Sequence, residues 1–483
     1  MATAGESKPL LEGKDVKNHV PRTVTLWSLV ALTYFAIAGG PEGTETMVQT
    51  AGPFNAILGI LIVGILWSIP TAMMTAELST AFPENGGFTL WVRAAFGDFF
   101  GEMAGWLQFV SGAVDAALYP GLFVAYLGQA LDLEGMHPAA SWTVQILFVA
   151  ALAALNLAGI AQVGHGSILF MCLLLTPFAV IIFIAFTGVF NGTTITGWEF
   201  ESKNLVETVP NPDWHAFLAV LLWNMGSWEG ASVCAGEVAN VREVFPVALA
   251  ITFVIVVLNY ALPILAFAGF DDNWDAWDNG HYIEITRSVG GPNWGIVLGC
   301  AQCFSVAGLF ANGINKNAYQ ICGMGEQGMI PSVIATRLSW TQAPWVAVLV
   351  TCGITCAMMP LGSFSAILGI DMSLYCAALL LEMGALIKLR YDQPDLERPY
   401  RIPVEGFWLW LLFLPAIVIS TWCMFLGGWE VQLFALGLLI GGALIILVLG
   451  YLRTNYPQWF EGVEGVQHFS AVPNGPAETK ADA

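Results

Sequence analysis

The chain has 483 residues, 57% of them hydrophobic and only 11% charged, with a formal net charge of −20. A soluble domain carries about 25% charged residues, so the composition excludes an ordinary soluble globular protein. The acidic balance also argues against nucleic acid as a partner.

Solid apolar runs near the roughly 20 residues of a spanning helix recur along the chain, unlike the short alternating segments of a barrel. Residues 1–22 are polar and the first apolar run is long, so no secretory signal is expected. The runs predict twelve spans: 23–51, 54–80, 98–129, 141–161, 164–190, 213–239, 245–269, 291–323, 342–360, 363–390, 406–427 and 430–452. The fold class is an all-α, multi-pass membrane protein, with a domain at 23–452 and polar tails at 1–22 and 453–483.

The first span breaks inside "FAIAGGPEGTETMV", residues 35–48. Gly39, Gly40 and Pro41 interrupt a helix. Glu42 and Glu45 are expensive there, since a lone charge at mid-membrane costs about 2.5–3.5 kcal/mol. In the third span, "SGAVDAALYP" places Asp115 and Tyr119 four residues apart on one helix face. The sixth span breaks at "NMGSWEG", residues 224–230, with Gly226 and Glu229 inside and Trp223 and Trp228 flanking. Aromatic faces near carboxylates suit ammonium groups, though tryptophan also serves packing and interface anchoring. "ILGIDMSLYCA" repeats the four-residue spacing with Asp371 and Tyr375 in the tenth span. Glu77, Glu237 and Glu382 lie nearer the cytoplasmic ends. With Glu42 they are candidates for a gate or a proton path, against the alternative of solvated end residues.

The two breaks lie five spans apart, and each carries a Glu-Gly pair, Glu42-Gly43 and Glu229-Gly230. They divide the domain into repeats at about 23–190 and 213–390, with two further helices at 406–452. Paired interruptions in matching segments point to a transporter's central site, because unwound backbone at that depth must line a protein cavity. Half-helix N-termini attract anions. Glu45 falls in the first turn of the second half of span one. It would take the place of a substrate carboxylate and leave a pocket for amines.

Lysine and arginine set the orientation. With both tails on one side, that side receives Lys8, Lys14, Lys17, Arg22, Arg93, Arg242, Lys316, Arg337, Lys388, Arg390, Arg398, Arg401, Arg453 and Lys480, leaving Lys203 and Arg287 opposite. Both termini are expected in the cytoplasm. The outer loops hold twelve acids, among them Asp132, Glu134, Glu199, Glu201, Glu207, Asp213, Asp271, Asp272, Asp275, Asp278, Glu284 and Glu430. A negative mouth concentrates cations. "NGT" at 191–193 is a candidate glycosylation site in the same loops.

The nine cysteines fall in or beside apolar runs, which is packing usage. No metal, cofactor or enzymatic activity is expected, as no ligand set, triad or phosphate loop stands out.

Five stretches together carry a family resemblance: "SGAVDAALYP", "LLWNMGSWEGASVCAGEVAN", "AELSTAFPENGGFTLWVRAAFG", "GMGEQGMIP" and "RPYRIPV". Over about residues 23–405 the chain resembles the polyamine uptake transporters of plants and protozoa. These belong to the amino acid–polyamine–organocation superfamily and are close to the L-type amino-acid transporters. The resemblance implies a leucine-transporter-type fold, two inverted five-helix repeats plus two helices, with helices 1 and 6 broken. It implies import of putrescine, spermidine or spermine, driven by protons or the membrane potential. The chain departs from the pattern in carrying Glu229 where plant members commonly have aspartate, and Lys316 where the eighth span usually has acids.

The expectation is a secondary transporter importing polyamines by alternating access, in the plasma membrane, with the proton as candidate coupling ion. Asp115 and Glu229 are expected to bind ammonium groups, and Glu45 to exclude carboxylates. Tyr119, Trp223, Trp228, Asp371 and Tyr375 are expected to line or close the pocket. Gly39, Gly40 and Gly226 free backbone carbonyls for the substrate. A cationic or neutral amino-acid transporter is the alternative, ahead of a polyamine sensor or channel.

Overall fold

Backbone polar groups in lipid must be satisfied within the segment, so apolar runs of this length become helices. The computed structural model describes residues 22–133, 136–187, 189–190, 193–194, 208–360, 364–426 and 428–462. Most of both tails lies outside the described residues. So do Lys8, Lys14, Lys17, Lys203, Lys480, Glu134, Glu199, Glu201 and Glu207, and Asn191 of the glycosylation candidate.

Span one forms α1 (Leu26–Ile37) and α2 (Thr44–Ala51). Gly52 alone joins α2 to α3 (Pro53–Val63), and a π-helical turn at Gly64–Ser68 joins α3 to α4 (Ile69–Ala81). A short α5 (Phe88–Phe96) precedes α6 (Asp98–Ala116) and α7 (Tyr119–Leu131). Then come α8 (Pro138–Leu157), α9 (Ile160–Thr187) and a minimal hairpin, β1 (Val189–Phe190) with β2 (Thr193–Thr194). Span six is α10 (Trp214–Met225) followed by a 3-10 segment, Gly230–Glu237. The rest comprises α11 (Val241–Ala268), α12 (His281–Gly290), α13 (Pro292–Glu326), α14 (Trp345–Met358), α15 (Phe364–Asp392), α16 (Phe407–Cys423) and α17 (Gly428–Asn455).

Among the described residues eight helical segments are long and apolar enough to cross a membrane, with three shorter apolar helices at Leu26–Ile37, Trp345–Met358 and Phe407–Cys423. The four remaining sequence-predicted spans, the first, sixth, ninth and eleventh, are broken or shorter pieces. The most apolar stretch of α17 is only 11% buried and that of α9 22%, whereas those of α13 and α15 are each 72% buried. The first pair therefore faces outward, and α13 and α15 form the interior.

Proline explains two local departures from continuous helix. Pro120 cannot donate an N–H and crowds the carbonyl four residues back, and span three breaks at Ala117–Leu118. Pro70 follows the π turn of span two. That turn aims the Ser68 hydroxyl at Met225 O, at 2.9 Å. The carbonyl at the end of α10 thereby gains a donor it lacks within its own helix.

The long α13 defines two ends of the bundle. At its start α12 packs beside it, and past its last turn Arg93 of α5 donates to Gln327 O at 3.3 Å. Val24 and Val238 form a parallel bridge at the α5 end, through Val24 N–H to Glu237 O and Ala239 N–H to Val24 O, both 3.0 Å. The two broken spans are thus tied together there.

Candidate functional site

The gap in span one spans Ala38–Gly43, where Gly39 (φ +63°), Gly40 (φ +157°) and Gly43 (φ +81°) take backbone conformations that favour glycine. A Cβ on Gly40 would meet Glu42 Oε2 at 2.0 Å and Ser305 Oγ at 2.7 Å. The Ser305 hydroxyl donates to Gly39 O. In span six α10 stops at Met225, and Ser227 (φ +60°) turns the chain.

Between the breaks lies a small cavity lined by Ser111, Asp115, Tyr119, Trp223, Gly226, Ser227, Lys316, Asp371, Met372 and Tyr375, with Ala36 and Ile37 of α1 and Ala38 just past it. It admits water centres over about 30 Å³, room for about two waters, so a longer ligand requires opening. A larger vestibule of 440 Å³, lined by Gln49, His215, Asp278, Leu368 and Met372 among others, lies toward the α12 end. Met372 belongs to both walls.

Neutral donors hold the acids. Asp115 accepts from Trp223 Nε1 at 3.0 Å and from the Tyr119 hydroxyl at 2.7 Å. Because of the Pro120 break, this Asp–Tyr pair bridges the end of α6 and the start of α7 rather than one continuous helix face. Asp371 accepts from Ser111. Glu229, fully buried, sits behind Tyr375, whose hydroxyl donates to Glu229 Oε2 at 3.1 Å. Gln108 reaches Glu229 at 3.4 Å and Glu382 at 3.0 Å.

Of the predicted substrate residues, Asp115, Tyr119, Trp223, Gly226, Asp371 and Tyr375 share the cavity wall. Trp228 is buried away from it and donates to Met225 O at 2.8 Å. Gly39 and Gly40 shape the break behind α1. Glu45 is in the first turn of α2, fully buried, and accepts the Gly280 N–H at 3.3 Å. Its carboxylate is turned toward the α12 side and is absent from the cavity wall. Buried Glu42 lies on the same side of Gly40 as the Ser305 hydroxyl and makes no ion pair among the described residues.

One assignment needs correcting. Lys316, counted above among the cytoplasmic charges, is in the cavity wall, well inside α13. Charge counting treats every lysine as a loop residue, and only the packing of α13 shows that this one faces inward. Gln108 and Ser111 were missed as well. Their spacing of seven and four from Asp115 was the available signal.

The α5 end is closed by buried ion pairs. Glu77 meets Arg390 at 2.5 Å and Arg398 at 3.1 Å and accepts the Ile402 N–H at 2.9 Å. Arg337 bridges Glu237 at 3.0 Å and Glu326 at 2.8 Å, and Arg453 pairs with Glu102. The solvated alternative for Glu77 and Glu237 is thus overturned, since they are 0% and 2% exposed. At the α12 end His281 Nε2 is 2.6 Å from Asp271 Oδ2, and its Nδ1 is 3.4 Å from Glu284. The hydrogen bond to Asp271 raises the His281 pKa above its ordinary value. Burial acts to raise the Asp271 pKa, but the hydrogen bonds from His281 and the Asn273 N–H, together with the His281 charge, outweigh it and the carboxyl lies below its usual range.

A membrane-embedded helical bundle whose broken helices wall a polar cavity, sealed at one end and approached from the other, is a transporter rather than an enzyme. The chain belongs to the amino acid permease family, whose model matches residues 24–449. It is 32% identical over 425 residues to "Polyamine transporter RMV1" of Arabidopsis thaliana, covering 88% of this chain and 84% of the relative. It is 34% identical over 434 residues to "Polyamine transporter PUT1" of Oryza sativa subsp. japonica, covering 89% and 79%. "Serine/threonine exchanger SteT" of Bacillus subtilis matches at 22% over 362 residues, 73% of this chain and 79% of that one.

Proposed function

We propose that the chain is a secondary active transporter that imports polyamines by alternating access. The observation that carries this reading is the pair of carboxylates, Asp115 and Asp371, in one small cavity with Trp223, Tyr119 and Tyr375. Carboxylates flanked by aromatic faces bind ammonium groups, and two of them suit a diamine. Relatives named polyamine transporters support the same substrate class. In this reading the chain has twelve spans in two inverted five-helix repeats plus two helices. Both termini and the α5 end are cytoplasmic, in a plasma membrane, and the α12 vestibule opens outside. Asp115 and Asp371 take the ammonium groups. Glu229 acts through Tyr375, and Glu45 holds the outer half of span one against α12. Transport is driven by protons or by the membrane potential, and Glu42, without an ion pair among the described residues, is the group that carries a coupled proton.

Uptake of radiolabelled putrescine and spermidine by cells expressing the chain, with amino-acid competitors and an uncoupler, tests the reading. Saturable diamine uptake that amino acids do not inhibit is the expected result, and absence of diamine uptake would sink it. A second reading, a cationic amino-acid carrier, is favoured by one observation: Lys316 in the wall offers a partner for a carboxylate. Competition by lysine or arginine stronger than by putrescine would select it.

A further inference from the structure

Lys316 stands apart from every other ionic group of the site. Its half-buried side chain lines the cavity beside Asp115 and Asp371. Its stem lies against Gly230, where a Cβ would meet Lys316 Cδ at 3.3 Å. Among the described residues it makes no ion pair within 4.0 Å. It nevertheless shares one wall with Asp115 and Asp371, and its stem lies against the residue that follows Glu229. The carboxylates are held by Trp223, Tyr119, Ser111, Tyr375 and Gln108 instead. They would keep their places if the ammonium moved.

A cluster of ionised carboxylates at membrane depth is stabilised by positive charge. In the empty cavity Lys316 supplies it. An arriving diamine brings its own charges to the same field and repels the lysine. A ligand shifts a conformational equilibrium only through differential contacts, and here substrate and lysine compete for one set of contacts. We propose that Lys316 is a tethered ammonium that takes the substrate's place in the unloaded carrier, so that the empty site can close and return. This rests on the alternating-access reading above.

The test uses the full chain in proteoliposomes, comparing net putrescine uptake into empty vesicles with exchange into putrescine-loaded ones. Net uptake requires the return of the unloaded carrier, and exchange does not. Lys316→Gln is expected to lower net uptake about tenfold, leave exchange within about threefold, and lower the KM for putrescine. Parallel loss of both modes, or retention of both, would overturn the proposal. Lys316→Arg covers the case in which the glutamine variant does not fold. It keeps the charge and adds a fork that grips carboxylates. It is expected to raise the KM about threefold at an unchanged ratio of net uptake to exchange, and a fallen ratio would overturn the proposal. Failure of the polyamine reading is seen separately, as wild-type chain that moves putrescine in neither mode. The two assays are then run with the amino acid lysine. The tethered ammonium still predicts a split between modes in Lys316→Gln, whereas a clamp on the substrate carboxylate predicts loss of both.

Discussion

The Tyr375 hydroxyl donates to Glu229 Oε2 at 3.1 Å and accepts the Ser227 N–H at 2.7 Å. One side chain of α15 therefore pins both the turn and the acid of the broken sixth span. Removing the hydroxyl leaves a buried N–H unpaired, which costs about 1–3 kcal/mol. Tyr375→Phe is expected to lower the thermal midpoint of the purified protein and to cut maximal putrescine uptake by about tenfold. An unchanged midpoint and rate would show that the turn holds itself.

Asp115 and Asp371 line the cavity directly. Asp115→Asn and Asp371→Asn are each expected to raise the KM for putrescine by about tenfold or more. Glu229→Gln, one layer back, is expected to lower the maximal rate more than it raises the KM. Uptake kinetics of the three variants check this, and equal KM effects in all three would place Glu229 in direct contact with substrate.

Glu77 is fully buried between Arg390 and Arg398. Breaking a buried ion pair by removing one partner is destabilising by about 3–5 kcal/mol. Glu77→Gln is expected to lower stability strongly and to expose the α5 end to membrane-impermeant thiol reagents at introduced cysteines. Retained stability with no new labelling would remove Glu77 from the closure.

The His281–Asp271 pair predicts a pH window. The folded His281 pKa is raised, so its contribution is complete below the ordinary value of 6.5 and is lost as pH rises through the folded pKa. The folded Asp271 pKa is lowered, so its contribution is present above the ordinary value and is lost as pH falls through the folded one. Protection of α12 amides, taken relative to the intrinsic exchange rate at each pH, is expected to be greatest between these limits and to fall toward alkaline pH. His281→Ala is expected to flatten that profile, and a wild-type profile without alkaline loss of protection would show that the His281–Asp271 pair does not hold α12.

Glu42, buried and without an ion pair among the described residues, predicts that Glu42→Gln leaves equilibrium binding of putrescine nearly unchanged but removes the dependence of uptake on an imposed proton gradient. Uptake still stimulated by the gradient would move the coupling elsewhere, with Glu382, whose Oε2 lacks a hydrogen-bond partner among the described residues, next in line.

Much of this molecule is written locally. The breaks at Gly39–Pro41 and Met225–Ser227 are legible because glycine and proline act on their own backbone, and the run lengths follow from bilayer thickness. The four-residue spacing of Asp115 and Tyr119 marks a pair, although Pro120 changes how the pair is made. The helices α5 and α12 are not legible in the sequence, since neither is long or uniformly apolar enough to stand out from loop. The positions of Glu229 behind Tyr375 and of Glu45 against Gly280 depend on residues 146 and 235 positions away in sequence.

The sequence by itself determined that the chain lives in a membrane, where it breaks its helices, and that acids gather near those breaks. These are consequences of composition and of short-range backbone sterics. Only the tertiary structure decided which acids share a cavity, which pair with Arg337, Arg390 and Arg398 to close one end, and that Lys316 faces inward. Those outcomes depend on the rotation of each helix against its neighbours, which is set by side-chain packing summed over the whole bundle.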